Sequence, residues 1–186
     1  VQKPDRSIQE ALENALTILT NGEKIIVTAS GRTDSGVHAL RQIAHFDWET
    51  DMATCDIIPA LNGNLPEDIR INDCAVVSGV FHARFSAVKR QYVYHCRTDE
   101  YILDRNTIWQ TGPLDLNRLN ELADKIVGEH NFTSFSKFNP EIENRVCNLY
   151  LSEWSDESGI VNYRVAANRY LHHMVRYLVG TMVEVT

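Results

Sequence analysis

The chain has 186 residues, 44% of them hydrophobic, enough to bury a core as one large domain or two small ones. Its net charge of −7 excludes a generally sticky nucleic-acid binder, so any RNA or DNA contact needs a local basic patch. No apolar run approaches the roughly 18 residues a membrane span needs, and the cysteines Cys55, Cys74, Cys96 and Cys147 form no CxxC pair, which suits a reducing cytosol better than disulfides or zinc.

VQKPDR opens the chain without an element of its own. Ser7-Ile8-Gln9-Glu10 then has the pattern of a capping box, and Ile8, Leu12, Ala15, Leu16 and Leu19 follow at helical spacing until Asn21-Gly22 stops the helix. Ile25-Ile26-Val27 reads as a strand, and Gln42 to Trp48 reads as another. Asp56 to Leu61 is expected to be a short helix broken by Asn62-Gly63-Asn64 and Pro66. Ile69 to Val77 alternates as a strand, and Gln91 to Cys96 has strand character. Asp115 to Val127 sets Leu116, Leu119, Leu122, Ala123 and Ile126 on one helical face ended by Gly128. Val146 to Trp154 and Ile160 to Ala167 form a hairpin around Ser155–Gly159. Tyr170 to Val183 closes the order as a helix with Leu171, Met174, Val175, Leu178 and Val179 inward. The order fits two β-α-β-β-α-β units, 1–80 and 81–186, the first without its opening strand and the second without its closing one. The class is α+β.

Between the first two strands lies ASGRTDSGVHA, Ala29 to Ala39, a polar loop on a scaffold that can hold chemistry still. Arg32 and Asp34 within it, taken alone, read as a solvated turn with an ion pair. Elsewhere the usual cofactor signatures are missing: no GxxxxGK[ST], no GxGxxG and no GxSxG. His38, His45, His82, His95, His130, His172 and His173 show no HExxH or CxxH spacing, so no metal is expected. What remains is a lone carboxylate with arginines and aromatics. An Asp beside cations can stay ionised and act as nucleophile or base. Arginines suit phosphates, and Tyr or Phe faces suit an unstacked base.

Several strings together resemble the TruA-type tRNA pseudouridine synthases: GRTDSGVHA (Gly31–Ala39) with QIAHFD after it, and NGNLPEDI (Asn62–Ile69). FHARFSA, KRQYVYHC, GEHNFTSF and HHMVRYLVGTMVEV complete the set in the family's order. The resemblance implies two ferredoxin-like halves, each β-α-β-β-α-β, joined in one mostly antiparallel sheet with helices on one face. It implies isomerisation of uridine to pseudouridine in the tRNA anticodon stem-loop, positions 38 to 40, by a cytoplasmic homodimer with neither cofactor nor metal. Asp34 would be the catalytic residue, attacking the ribose or promoting a glycal. Arg32 would hold the flipped nucleotide, Tyr92 would stack on the target base and Arg176 would pair with Asp34. Arg176 lies on an otherwise apolar helix, and a buried arginine needs a carboxylate partner.

His82, Arg84, Lys89 and Arg90 read as phosphate contacts, His38 as a brace for the loop, and Gly31 and Gly36 as its sharp turns. His172 and His173 fit either packing or RNA contact. The family also carries a YDG…GWQ strand ahead of the first helix and a last helix and strand after GTMVEV, so the resemblance implies truncation at both ends. Two alternatives accompany this reading. One is a non-catalytic RNA-binding module; the other is a metal-dependent hydrolase using Asp34 with His38 and His45.

Overall fold

The computed structural model describes residues 6–186, leaving only Val1 to Asp5 of the VQKPDR opening outside. It is α+β. Four α-helices accompany a two-stranded antiparallel sheet and a five-stranded mixed sheet among the described residues. The chain divides into two compact units, each with its own apolar core.

The first unit comprises the chain up to Thr33 together with His38–Ala87. Helix α1, Ile8–Leu19, begins where Ser7 Oγ accepts from the Glu10 backbone N–H at 3.1 Å. It buries Ala15 and Leu16 against Ile25, Val27, Ile57 and Leu61; each such buried leucine contributes about 1.5–3 kcal/mol relative to exposure. Of the expected pair only two residues of the second form a strand: β2 is Ala44–His45, while its partner β1 is Thr28–Ala29, just after the expected Ile25–Val27, which is not a strand. Ile25 and Val27 are buried ahead of β1, and the Val27 N–H bonds the Glu13 carboxylate at 3.1 Å instead of a neighbouring strand. Helix α2, Thr54–Asn64, is longer than expected and runs through Asn62-Gly63-Asn64. Its end is held by Leu65 N–H donating to the Leu61 carbonyl at 3.0 Å and Asn64 Nδ2 to the Ala60 carbonyl at 2.9 Å.

The expected strand over Ile69–Val77 does not form. The backbone partner of Ile71 is a side chain: Asn62 Nδ2 donates to the Ile71 carbonyl at 2.9 Å, and Ile71 N–H donates to Asn62 Oδ1 at 2.8 Å.

The second unit holds Asp34–Val37 and Val88–Thr186. Its sheet runs β4-β3-β7-β6-β5 and is built from β3 (Arg90–Arg97), β4 (Trp109–Gln110), β5 (Gly128–Asn131), β6 (Val146–Glu157) and β7 (Ile160–Ala167). Only β3 and β4 are parallel; the other pairs are antiparallel. The β6–β7 turn is tighter than expected, because β6 continues to Glu157 and Ser158-Gly159 alone connect it to β7. Both turn residues have positive φ, 57° and 86°, as a two-residue hairpin in a right-twisted sheet requires. Tyr150 bulges out of β6 between Leu149 and Leu151.

Helix α3, Leu116–Asp124, starts at Asp115, whose carboxylate accepts from Arg118 N–H at 3.0 Å. It buries Leu119 and Ala123. Helix α4, Met174–Glu184, buries Met174, Leu178, Val179 and Met182 in the same core as Trp154, Tyr163 and Val165 of the sheet. Trp154 Nε1 donates to the Met182 sulfur at 3.3 Å. Four residues expected at its start are not helical, because His173 turns left-handed there (φ 63°, ψ 7°).

Candidate active site

The loop carrying GRTD leaves β1 and returns at β2. Ser30 N–H bonds the Ile43 carbonyl at 2.8 Å, Ser30 Oγ bonds Gln42 Oε1 at 2.6 Å, and Gln42 Nε2 donates to the Gly31 carbonyl at 2.9 Å. Gln42 is therefore the brace, and His38 is exposed. Gly36 has φ 82°, a conformation L side chains rarely adopt, whereas Gly31 does not. The turn following Asp34 closes by Val37 N–H donating to the Asp34 carbonyl at 3.2 Å.

The Asp34 carboxylate sits among three basic side chains of the second unit. Arg176 Nη1 is 3.6 Å from Oδ2, His173 Nε2 is 3.5 Å from the same oxygen, and His172 Nε2 is 3.8 Å from Oδ1. These separations exceed hydrogen-bond length, so the grouping is electrostatic. Arg176 thus meets Asp34 as expected, but as an exposed arginine, its side chain 63% accessible against 29% for Asp34.

The two histidines are the part that sequence reasoning left open. Their signal was spacing: they precede Arg176 by four and three residues, the separations that share a helix face. Their placement also depends on the left-handed backbone at His173, which brings two consecutive rings to 4.0 Å between centroids. Backbone hydrogen bonds fix that turn. Lys137 N–H donates to the His172 carbonyl (2.9 Å), Tyr177 N–H to the His173 carbonyl (3.1 Å) and Met174 N–H to the Leu171 carbonyl (3.1 Å).

Tyr92 projects from β3 half-buried, edge-on to Tyr170 at 5.0 Å. Burial raises its phenol above the ordinary tyrosine range, Arg90 opposes the rise, and the negative charge of Asp34 adds to it. Tyr92 therefore lies within electrostatic reach of the carboxylate. Arg90 is engaged with the backbone: its Nη1 donates to the Asn168 carbonyl at 2.9 Å, and its carbonyl accepts from Tyr170 Oη at 3.3 Å.

The other predicted residues, Arg32, His82 and Arg84, belong to the first unit, and Lys89 to the second. Arg32 and Lys89 are exposed. His82 spends Nδ1 on a local turn, accepting from Arg84 N–H at 3.2 Å and Phe85 N–H at 3.3 Å. Arg84 is exposed, its guanidinium 5.8 Å from the Phe85 ring centre. His45, invoked for a hydrolase, accepts from Ala83 N–H through Nδ1 at 3.1 Å.

The profile of the tRNA pseudouridine synthase family matches residues 1–86 and 122–186. The chain belongs to that family. Among its relatives, the tRNA pseudouridine synthase A of Bacillus pumilus is 37% identical over 189 residues, spanning 100% of this chain and 76% of its own length. That of Bacillus subtilis is 35% identical, spanning 99% of this chain and 76% of itself. That of Chlorobium limicola is 41% identical over 164 residues, 88% of this chain and 68% of the relative. The first matched segment includes Asp34, and the second includes His172, His173 and Arg176. No helix among the described residues is long and apolar enough to cross a membrane.

Proposed function

We propose that this chain isomerises uridine to pseudouridine in tRNA, at positions 38 to 40 of the anticodon stem-loop, with Asp34 as the catalytic residue. The observation that carries the reading is the single half-buried carboxylate set among Arg176, His172 and His173, with Tyr92 in electrostatic reach. The Asp34 carboxylate either attacks ribose C1′, displacing uracil from its N1 bond, or removes a C2′ proton to leave a glycal. The freed uracil turns and C5 bonds to C1′, either displacing the Asp34 carboxylate from that carbon or adding to the glycal as the proton returns to C2′; C5 gives up its proton and N1 gains one. Atoms and electrons balance without oxidant, water or phosphate donor, so the chemistry calls for no cofactor.

The flanking cations serve two tasks. Arg176 sets a positive charge beside the carboxylate, and Arg32, two residues before Asp34, holds the flipped-out nucleotide. Tyr92 offers a ring face to the target base. His82, Arg84, Lys89 and Arg90 supply phosphate contacts that orient the tRNA without reading its sequence. The element order supports two ferredoxin-like halves, residues 1–80 with the GRTD loop and 81–186 with the Tyr92 strand and the MVR helix. The assembly is a homodimer, and the four free cysteines suit the cytoplasm.

Asp34→Asn tests the reading. The substitution is expected to abolish pseudouridine formation, mapped by sequencing of treated tRNA, while tRNA binding persists. Turnover retained by the variant overturns the assignment of Asp34. Binding by the parent chain with no pseudouridine formed would instead favour an RNA-binding module.

A further inference from the structure

We propose that Asp34, His172 and His173 form a binding site for a divalent transition ion such as Zn2+ or Co2+, and that the bound ion blocks the carboxylate. The three residues offer one ligand atom each, all within 4.8 Å of one another. The carboxylate-to-imidazole separations are 3.8 and 3.5 Å. A tetrahedral ion with ligand bonds of about 2.0–2.1 Å requires donor-to-donor edges of about 3.3 Å, so small side-chain rotations close the site. Two nitrogens and one oxygen leave a fourth position for water.

The backbone supplies the second argument. Consecutive side chains on an ordinary helix diverge, whereas the left-handed turn at His173 sets both imidazoles on the one carboxylate. That turn is tied down at three carbonyls, so the ligands are largely prearranged. Imidazole donors favour Zn2+, Co2+, Ni2+ and Cu2+. Mg2+, the ion that accompanies RNA, takes oxygen ligands and holds its waters, so it does not compete here. Arg176 opposes the ion, because its guanidinium lies 3.6 Å from the same Asp34 oxygen that faces His173. Removing that positive charge should therefore tighten binding, a direction that an incidental surface histidine site would not show.

The blocking effect rests on Asp34 being the catalytic residue; ion binding does not. The test is a Co2+ titration of the full chain, free of RNA, followed by visible absorption, with Zn2+ as competitor. One equivalent is expected without thiolate-to-metal bands, since Cys55 is the exposed thiol that could compete. Asp34→Asn and His172→Ala should each weaken binding by about tenfold or more, the scale of losses seen even for outer-shell partners. Arg176→Gln should strengthen it several-fold, by relief of charge repulsion, and Mg2+ should leave the spectrum unchanged. Unaltered affinity in Asp34→Asn or His172→Ala, thiolate bands, or weaker binding in Arg176→Gln overturns the site. In the activity arm, buffered free Zn2+ should inhibit pseudouridine formation and a chelator should restore it. A parent chain that makes no pseudouridine overturns the catalytic reading, while the Co2+ titration still decides the ion site.

Discussion

His173 shows how much at this site hangs on one backbone angle. With φ 63° its Cβ crowds the following carbonyl, which costs an L residue roughly 1–2 kcal/mol. The cost is tolerated because the turn both starts α4 and aims two rings at Asp34. Glycine would remove the crowding but add freedom to the unfolded chain. His173→Gly should thus keep stability within about 1 kcal/mol of the parent by urea unfolding. A β-branched residue is far worse suited to this region, so His173→Val should destabilise by about 2 kcal/mol. Equal stability of the two variants would mean that the left-handed turn does not persist in solution. Arg176 and Asp34 could be paired on paper from their strings; the histidines' spacing to Arg176 was legible too, but not the turn that brings both rings to Asp34, because a periodicity argument extends the helix back through Tyr170 and has no means to register a left-handed residue inside it.

At the scale of elements, Asn62 substitutes for a missing strand partner. It satisfies both the N–H and the C=O of half-buried Ile71 from the end of α2. Asn62→Ala leaves two backbone groups without those bonds and should cost about 2–3 kcal/mol, at roughly 1 kcal/mol or more per unmade bond. Urea unfolding of the full chain would show it, and a loss below a few tenths would deny Asn62 this role. The same residue explains where sequence reading stopped. Asn62-Gly63-Asn64 carries strong turn chemistry, yet Asn62 and Asn64 side chains bond backbone around the helix end instead of breaking it. Alternation over Ile69–Val77 marks faces and says nothing of whether a neighbouring strand is present.

The second unit was far more legible. In β3, β6, α3 and α4 the hydrophobic period and the tertiary packing agree, and β7, central in the sheet, is a nearly continuous buried run. The strands that went unread, β4 and β5, are the two edges of the sheet, short and mostly exposed, and they give periodicity little to read.

For the whole molecule, the question is how a chain with 25 acidic and 18 basic side chains would hold a polyanion. Net repulsion means that attraction must come from a few local cations, and each phosphate they neutralise releases counterions. Lys89 is the cleanest probe. It is exposed, whereas Arg90 beside it also donates to the Asn168 carbonyl, so removing Arg90 would perturb the fold along with the charge. If Lys89 contacts a phosphate, Lys89→Ala should weaken binding to all cognate tRNAs alike. It should also make the slope of log K against log salt shallower by about 0.7–0.9, the increment for one contact. Asp34→Asn serves as the contrast: it changes charge at the proposed reacting centre without removing a phosphate contact, so its slope should match the parent's. Fluorescence titrations with one labelled tRNA across a salt series measure both. A Lys89→Ala slope equal to the parent's would remove Lys89 from the interface, and the same comparison on Arg84 and Arg32 would then show which cations overcome the net charge of −7.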